Sequence, residues 1–166
     1  REIIQYGLHQ GFLILLNLLT TVVCGILWKE LPFVLLVFWG IFFLRPYAGG
    51  YHADTELRCY FLSTAMMNMV VFLKKTIVLS NIMFIIIWII TVIFIWIYAP
   101  VENTIHCLDE DARKKYANNT KKILLCNGIV MLVGIWVNQR IVVDAIIWSQ
   151  VMIAIAMIAG LWKYST

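Results

Sequence analysis

A histidine and a cysteine stand close together in a polar stretch of the sequence. Residues 45–59 read RPYAGGYHADTELRC and include His52, one of three histidines, and Cys59, one of four cysteines. A cysteine attacks a carbonyl carbon through its thiolate, and histidine is its usual base because the unperturbed histidine pKa lies near neutrality. The pair is therefore a candidate nucleophile with a candidate general base.

The spacing of the pair limits how it can be arranged. Residues seven apart on one straight helix share a face, but about 10.5 Å separates them along the axis, which makes direct contact unfavourable. We therefore expect Gly49 and Gly50 to break the chain, His52 to lie in a turn, and the third helix to begin near Asp54. In that arrangement His52 can fold back over Cys59.

Residues beside the pair suit the same arrangement. Asp54 is a good N-cap, and Glu56 is favourable in the first helical turn. Cys59 then lies one turn into the helix, where the positive end of the helix dipole and nearby Arg58 favour the thiolate. Arg45 is either a further cation near the site or an anchor at the membrane interface.

Two other interpretations of these residues stay open. His52 and Cys59 are also compatible with ordinary loop and helix-start positions that have no catalytic role. His106 and Cys107 offer metal-binding side chains, but adjacent residues point in different directions and no spacing here matches a zinc site. We therefore expect neither a metal nor another cofactor.

The composition excludes an ordinary soluble domain. Of the 166 residues, 63% are hydrophobic and 13% are charged, whereas soluble domains are about 45–50% apolar and about 25% charged. Apolar runs without internal charge recur along the chain, which is typical of an integral membrane protein built from helices. The net charge of +4 comes without a basic patch interleaved with aromatic residues, so we expect no nucleic-acid partner.

Six apolar runs predict an all-α, polytopic membrane protein with about six transmembrane helices, in a single membrane-embedded domain over residues 1–166. The runs cover residues 3–28, 31–44, 59–73, 82–99, 123–137 and 141–162, and Asp109 caps a short surface helix before the fifth. The second and third runs are short and flank the polar stretch. Either the bilayer thins there or the polar stretch dips toward membrane depth, and we favour the second arrangement.

The basic residues predict the orientation. Six spans put both termini, the polar stretch and the loop after the fourth helix on one side of the membrane. That side carries nine Lys and Arg residues, and the other side carries four. The positive-inside rule therefore places the termini and the segment with His52 and Cys59 at the cytoplasmic face.

These motifs resemble a known family. The stretch RPYAGGYHADTELRC before a hydrophobic helix, the six-span layout, and YAPVEN with a downstream DEDARKK are similar to accessory gene regulator B, the bacterial membrane peptidase of peptide quorum sensing. The resemblance covers essentially the whole chain. It implies a multi-pass protein of the bacterial cell membrane.

The resemblance also implies a reaction. Cys59 would be the nucleophile, and His52 its general base and acid, in a cysteine endopeptidase that removes the C-terminal part of a precursor signalling peptide. The remainder would be held as a thioester and then cyclised to a thiolactone or lactone. Further residues would support the site or the substrate, namely Arg45, Gly49, Gly50, Asp54 and Arg58.

Two other function classes are compatible with this sequence. One is a small membrane transporter or channel with a re-entrant polar loop, in which solute flux depends on His52. The other is a non-catalytic membrane scaffold, in which Cys59 is dispensable. For the peptidase we expect the precursor peptide and the lipid bilayer as partners. The Trp- and Ile-rich helix faces are also compatible with a surface for homodimer formation.

Overall fold

Helices account for the fold. The structure is a computed structural model that describes residues 2–51, 53, 55–77, 80–102 and 109–164. The helices in this part of the chain are α1 (Glu2–Trp28), α2 (Leu31–Ala48), α3 (Glu56–Thr76), α4 (Asn81–Tyr98), α5 (Glu110–Trp136) and α6 (Arg140–Tyr164). The predicted all-α class is confirmed.

Several of these helices are apolar enough for a bilayer. A helix needs about 20 predominantly apolar residues to cross the hydrocarbon. Within the described residues, three segments are long and apolar enough to do so, namely Gly11–Trp28, Leu31–Ala48 and Arg140–Tyr164, and the apolar Ile82–Tyr98 is shorter. The protein is therefore a helical membrane protein.

Contacts between helix ends define one end of the bundle. His9 in α1 contacts Glu56 at the start of α3, and Lys163 at the end of α6 lies over the ring of Tyr51, just past α2. Cys59 is in the first turns of α3, so we name this the Cys59 end. Three parts of the chain thus lie together at this end, namely the early part of α1, the last turn of α6 and the connection between α2 and α3. This is the arrangement expected when successive helices run in alternating directions.

The second helix is longer than the sequence-based prediction. It continues through Arg45 to Ala48 instead of ending at residue 44. It stops where Gly49 adopts a φ of 73° and donates its N–H to the Arg45 carbonyl oxygen at 3.0 Å. Only glycine adopts such a φ without strain, so Gly49, and not the polar side chains before it, ends the helix.

The third helix has a different N-cap from the one predicted. It begins at Glu56, close to the predicted start, but Thr55 is the N-cap in place of Asp54. The Oγ1 atom of Thr55 accepts a hydrogen bond from the Arg58 N–H at 3.3 Å, which satisfies one of the N–H groups that the helix start leaves without a partner. Asp54 itself lies outside the described residues.

The fifth helix is continuous, whereas the sequence predicted a short surface helix followed by a separate span. Asp109 is the N-cap, as predicted, and its side chain accepts a hydrogen bond from the Ala112 N–H at 3.2 Å. In the middle of α5, Thr120 donates its hydroxyl to the Tyr116 carbonyl at 3.0 Å and leaves the helix unbroken. The change from polar to apolar residues alters the surroundings of this helix but not its backbone.

The sixth helix lies at the centre of the bundle. It is buried over most of its length and packs against α2, α4 and α5. Trp148 joins α2 and α3 in one apolar cluster, while Met157 joins α2, α4 and α5 in another. Gly40 lets α2 approach Ser149 closely, because a Cβ at residue 40 would lie 2.7 Å from Ser149 Oγ. Close packing of small residues is the usual way in which helices associate in a membrane.

Charged side chains hold the helices together at the end opposite Cys59. Lys74 of α3 lies 2.5 Å from Glu30 in the turn between α1 and α2. Arg140 lies 3.2 Å from Asp144 of α6, a residue that is only 7% exposed. Lys74 and Glu30 also interact electrostatically with Asp144. These four residues therefore form one charge cluster that connects three parts of the chain, namely the turn between α1 and α2, the end of α3 and the start of α6.

Candidate active site

A cavity of about 480 Å³ opens between α1, α2 and α3 beside Cys59. Its inner end is apolar and is lined by side chains that also form the packing of α2, α3 and α6, namely Val37, Met67, Val70 and Met152. Polar groups from three helices also line the cavity, among them Asn17, Thr20, Thr21, Arg45, Ser63 and Thr64. This volume, and the mixture of apolar walls with a few polar groups, suit a drug-sized ligand or a short stretch of peptide.

Cys59 stands in the wall of this cavity. It is a free, half-buried cysteine one turn into α3, as predicted, and its backbone N–H donates to the Thr55 carbonyl oxygen at 3.0 Å. The N–H groups at a helix start carry partial positive charge, so Cys59 lies near the positive end of the α3 dipole. Cys59 therefore combines a place in the lining of the cavity with a position near the positive end of a helix.

Arg45 is the cation of the cavity. As a residue of α2 it lines the cavity, and its Nη2 atom donates to the Tyr51 carbonyl oxygen at 2.8 Å. The Arg45 guanidinium interacts electrostatically with Cys59 and with Tyr164. Arg45 thus lines the same cavity as Cys59, and both predicted roles, a further cation near the site and an anchor at the membrane interface, stay predictions.

Gly49 and Gly50 break the chain between α2 and α3, as predicted. Their φ angles are 73° and 122°. An isolated parallel bridge pairs Gly49 with Val101, and the Val101 N–H donates to the Ala48 carbonyl oxygen at 3.0 Å. Val101 belongs to the YAPVEN stretch, so this stretch contacts the segment that precedes His52.

Not all predicted site residues are among those that line the cavity in the described part of the chain. His52 and Asp54 lie outside the described residues. Arg58 is exposed in the first turn of α3 and does not line the cavity. A different histidine lies near the cavity, because the Nε2 atom of His9 is 2.7 Å from the Glu56 carboxylate, which itself lines the cavity.

Sequence reasoning missed the contribution of α1 to this site. Thr20 Oγ1 lies 2.6 Å from the hydroxyl of Tyr60, the residue after Cys59, and Cys24 accepts a hydrogen bond from Asn68 at 3.4 Å. Along α1 the cavity-lining residues Asn17, Thr20, Thr21 and Cys24 recur at spacings of three and four. This period places them on one face of the helix and is the signal that could have found them.

The described residues offer no metal site. Within them, no three His, Cys, Asp or Glu side chains are grouped so that they could hold a metal ion. His106 and Cys107, the pair considered from the sequence, lie outside the described ranges.

Comparison with known protein families agrees with the motifs. The chain matches the family described as accessory gene regulator B (AgrB) over residues 1–158. No curated protein and no solved structure matches it. The family consists of membrane proteins that take part in the processing of quorum-sensing peptides. Because the match extends over nearly the whole chain, this protein belongs to the accessory gene regulator B family.

Proposed function

We propose that this protein is a membrane cysteine endopeptidase that cleaves a precursor signalling peptide and promotes its cyclisation. The position of Cys59 carries the proposal. The residue lies near the start of a helix, lines a cavity of about 480 Å³ and interacts electrostatically with Arg45. A nucleophilic cysteine needs positive surroundings and room for an acyl group, and both are present around this thiol.

In the first step the Cys59 thiolate attacks a backbone carbonyl near the C-terminal part of the precursor. His52 takes the thiol proton as general base and gives it to the leaving amine as general acid. The carbon–nitrogen bond breaks, the C-terminal segment leaves, and the rest of the precursor remains on Cys59 as a thioester. Arg45 and the N–H groups at the start of α3 supply positive charge for the thiolate and for the oxyanion that forms on the carbonyl.

In the second step an internal cysteine or serine of the precursor attacks the thioester. Its proton passes to His52, a new sulfur–carbon or oxygen–carbon bond forms, and the bond to Cys59 breaks. The products are a cyclic thiolactone or lactone and a free Cys59 thiolate. Exchange of one thioester for another is nearly balanced in free energy, so removal of the cleaved segment must help to drive the reaction.

The membrane location serves this chemistry because a thioester is lost if water reaches it first. A cavity with an apolar inner end lowers the concentration of water around the acyl group. We further propose that six helices cross the bacterial cell membrane and that the Cys59 end faces the cytoplasm, in line with the excess of Lys and Arg residues on that side. A precursor made in the cytoplasm would then reach the site directly.

Co-expression with a candidate precursor tests the proposal. The peptide products are identified by mass spectrometry for the wild type, Cys59→Ala and His52→Ala. We expect cleavage and cyclisation with the wild type only. An unchanged product pattern with Cys59→Ala would contradict this mechanism. The transporter interpretation would then be favoured, in which solute flux depends on His52.

A further inference from the structure

We propose that Gly160 of α6 is a positioning residue for the peptidase site. Because it has no side chain, the backbone of Gly50 and Tyr51, which leads directly into His52, can lie against α6. The inference rests on the proposed function, since it concerns the placement of the same histidine. It assigns a role in the site to a helix that contributes no nucleophile, acid or base to it.

The contact at Gly160 is between backbones. A Cβ placed at residue 160 would lie 2.8 Å from the carbonyl carbon of Gly50 and 2.8 Å from the nitrogen of Tyr51. Real Cβ atoms essentially never come within 3.0 Å of such atoms, and backbone atoms cannot rotate away as the end of a flexible side chain can. Any side chain at residue 160 therefore displaces the backbone of residues 50 and 51.

A second contact lies one helical turn earlier in α6. The Tyr51 N–H donates to the carbonyl oxygen of Ala156 at 2.7 Å, and a Cβ at Gly50 would lie 3.0 Å from the same oxygen. The segment is thus held on α6 at two successive turns. Lys163 lies over the Tyr51 ring at 4.9 Å and extends the contact by a third turn.

The segment is also held by close contact at Gly49, so a displacement has little room to relax. A Cβ at Gly49 would lie 2.1 Å from the carbonyl oxygen of Val101. The Val101 N–H is bonded to Ala48, just before this glycine. A push from residue 160 would therefore be transmitted along the chain toward His52 and to the bond between Arg45 and the Tyr51 carbonyl.

If Gly160 served only the packing of α6 itself, its replacement by alanine would have a different effect. Alanine favours a helix more than glycine does, so Gly160→Ala should leave α6 unchanged or more stable if the glycine has no positioning role. Gly128 of α5 is a matched control, because it is a buried helical glycine whose Cβ would meet only the side chain of Trp88, at 3.3 Å. Gly11 of α1 is a second control, with no atom within 4 Å of its Cβ position.

The experiment uses the full chain in detergent and in cells. It compares wild type, Gly160→Ala, Gly128→Ala, Gly11→Ala, His52→Ala and the double variant Gly160→Ala/His52→Ala. Three properties are measured for each protein: precursor cleavage, the rate of Cys59 alkylation by iodoacetamide at neutral pH, and the thermal melting temperature. Alkylation reports the thiolate even where cleavage is too slow to detect.

We expect Gly160→Ala to lower cleavage by about 10- to 100-fold, the loss that misplacement of a catalytic group by up to about 1 Å can cause. It should slow alkylation as much as His52→Ala does, and the double variant should alkylate at the same rate as either single variant. Both control glycine variants should behave as the wild type, with melting temperatures within about 3 °C of it, which corresponds to about 1 kcal/mol for a chain of this length.

Two results would contradict the positioning role of Gly160 while the proposed catalytic roles of His52 and Cys59 still hold. One is wild-type cleavage by Gly160→Ala while His52→Ala is inactive. The other is an alkylation rate in the double variant that is the product of the two single effects, because independent effects multiply. If His52→Ala itself cleaves normally, the proposed roles of His52 and Cys59 are contradicted, and the positioning role of Gly160 is contradicted with them. This pattern is distinct from the other two.

If Gly160→Ala does not fold, a measurement on the wild-type protein still tests the proposal. Amide hydrogen exchange of the Tyr51 N–H should be slow, because it is bonded to a carbonyl oxygen of the central helix. Exchange at the rate of an unprotected amide would show that the segment does not lie on α6, and would overturn the proposal without any variant.

Discussion

The guanidinium of Arg45 donates a hydrogen bond to the Tyr51 carbonyl oxygen at 2.8 Å and interacts electrostatically with Cys59. One side chain thus connects the end of α2, the segment before His52 and Cys59 on α3. A guanidinium has five N–H donors, so it can hold the Tyr51 carbonyl and still present positive charge to the cavity. Arg45 therefore has both a structural and an electrostatic role in the site that we propose.

Replacement of Arg45 should separate these two roles. Arg45→Met removes the charge and the hydrogen bond and should lower cleavage by about 10- to 100-fold, the equivalent of the about 1.5–3 kcal/mol typical of a hydrogen bond with a charged partner. Arg45→Lys keeps the charge but not the planar fork, and its cleavage rate should fall between that variant and the wild type. The rates are measured by mass spectrometry of the precursor.

Arg58 supplies the comparison for Arg45. Its side chain is exposed at the start of α3, where solvent screens its charge. Arg58→Met should therefore change cleavage by less than about threefold, in keeping with the about 0–1 kcal/mol typical of exposed charges. A loss as large as that of Arg45→Met would contradict the assignment of Arg45 as the cation of the site.

The N-cap of α3 should affect catalysis through the first turn that carries Cys59. Thr55→Ala removes the bond from the Arg58 N–H to Thr55 Oγ1 and should lower the free energy of unfolding by about 1 kcal/mol. Fraying of this turn should also slow cleavage by about two- to tenfold, since about 1 kcal/mol corresponds to about fivefold. Thr55→Ser keeps the cap and should restore both properties; equal rates for Thr55→Ala and Thr55→Ser would exclude a role for the cap.

Filling the cavity should block the precursor but not the thiol. Ser63 is exposed and lines the cavity, whereas its neighbour Leu62 is exposed and does not. Ser63→Trp should lower precursor cleavage by at least about tenfold while iodoacetamide still alkylates Cys59, because the small reagent needs little of the about 480 Å³. Leu62→Trp should cleave normally, and equal losses from the two variants would argue against this cavity as the binding site.

The charge cluster opposite Cys59 should affect stability alone. Asp144→Asn removes one of two acids from a cluster with two bases and should lower the free energy of unfolding by about 1–3 kcal/mol, because Asp144 is buried. Cleavage per folded molecule should not change, since the site is at the other end of the bundle. Unfolding in detergent micelles and cleavage are measured on the same preparations.

An exposed ion pair provides the control for this cluster. Glu110 and Lys114 of α5 lie 4.0 Å apart, and their side chains are 93% and 73% exposed. Glu110→Gln should change the free energy of unfolding by no more than about 0.5 kcal/mol. A loss of cleavage by folded Asp144→Asn, with Glu110→Gln unaffected, would show that the cluster is coupled to the site.

The helices could be predicted from local properties of the sequence. Apolar runs require helices in a bilayer because backbone polar groups there must find partners within their own segment, and this alone specifies the class. Gly49 and Gly50 correctly indicated the break after α2, since their lack of a Cβ permits positive φ. The position of Cys59 one turn into α3 followed from the same break. The motif around His52 and Cys59 identified the family, although His52 lies outside the described residues.

What the sequence could not predict depends on contacts between segments that are far apart in the chain. Arg45 lines the same cavity as Cys59 only because α1, α2 and α3 come together around it, and the sequence alone could not predict this arrangement. The choice of Thr55 over Asp54 as N-cap depends on the path by which the chain enters α3. Local propensity allowed either residue, because both side chains can accept the capping hydrogen bond.

The sequence by itself thus determined the membrane class, the helices, the break at the glycines and the pair of residues proposed for the chemistry. Only the tertiary structure decided that α1 lines the cavity, that Thr20 meets Tyr60, and that α6 holds the backbone before His52 at Ala156 and Gly160. The physical reason is the separation along the chain of the residues that interact. Helix formation and glycine conformation are set within a few residues, whereas a cavity and a backbone contact exist only after separate helices have packed together.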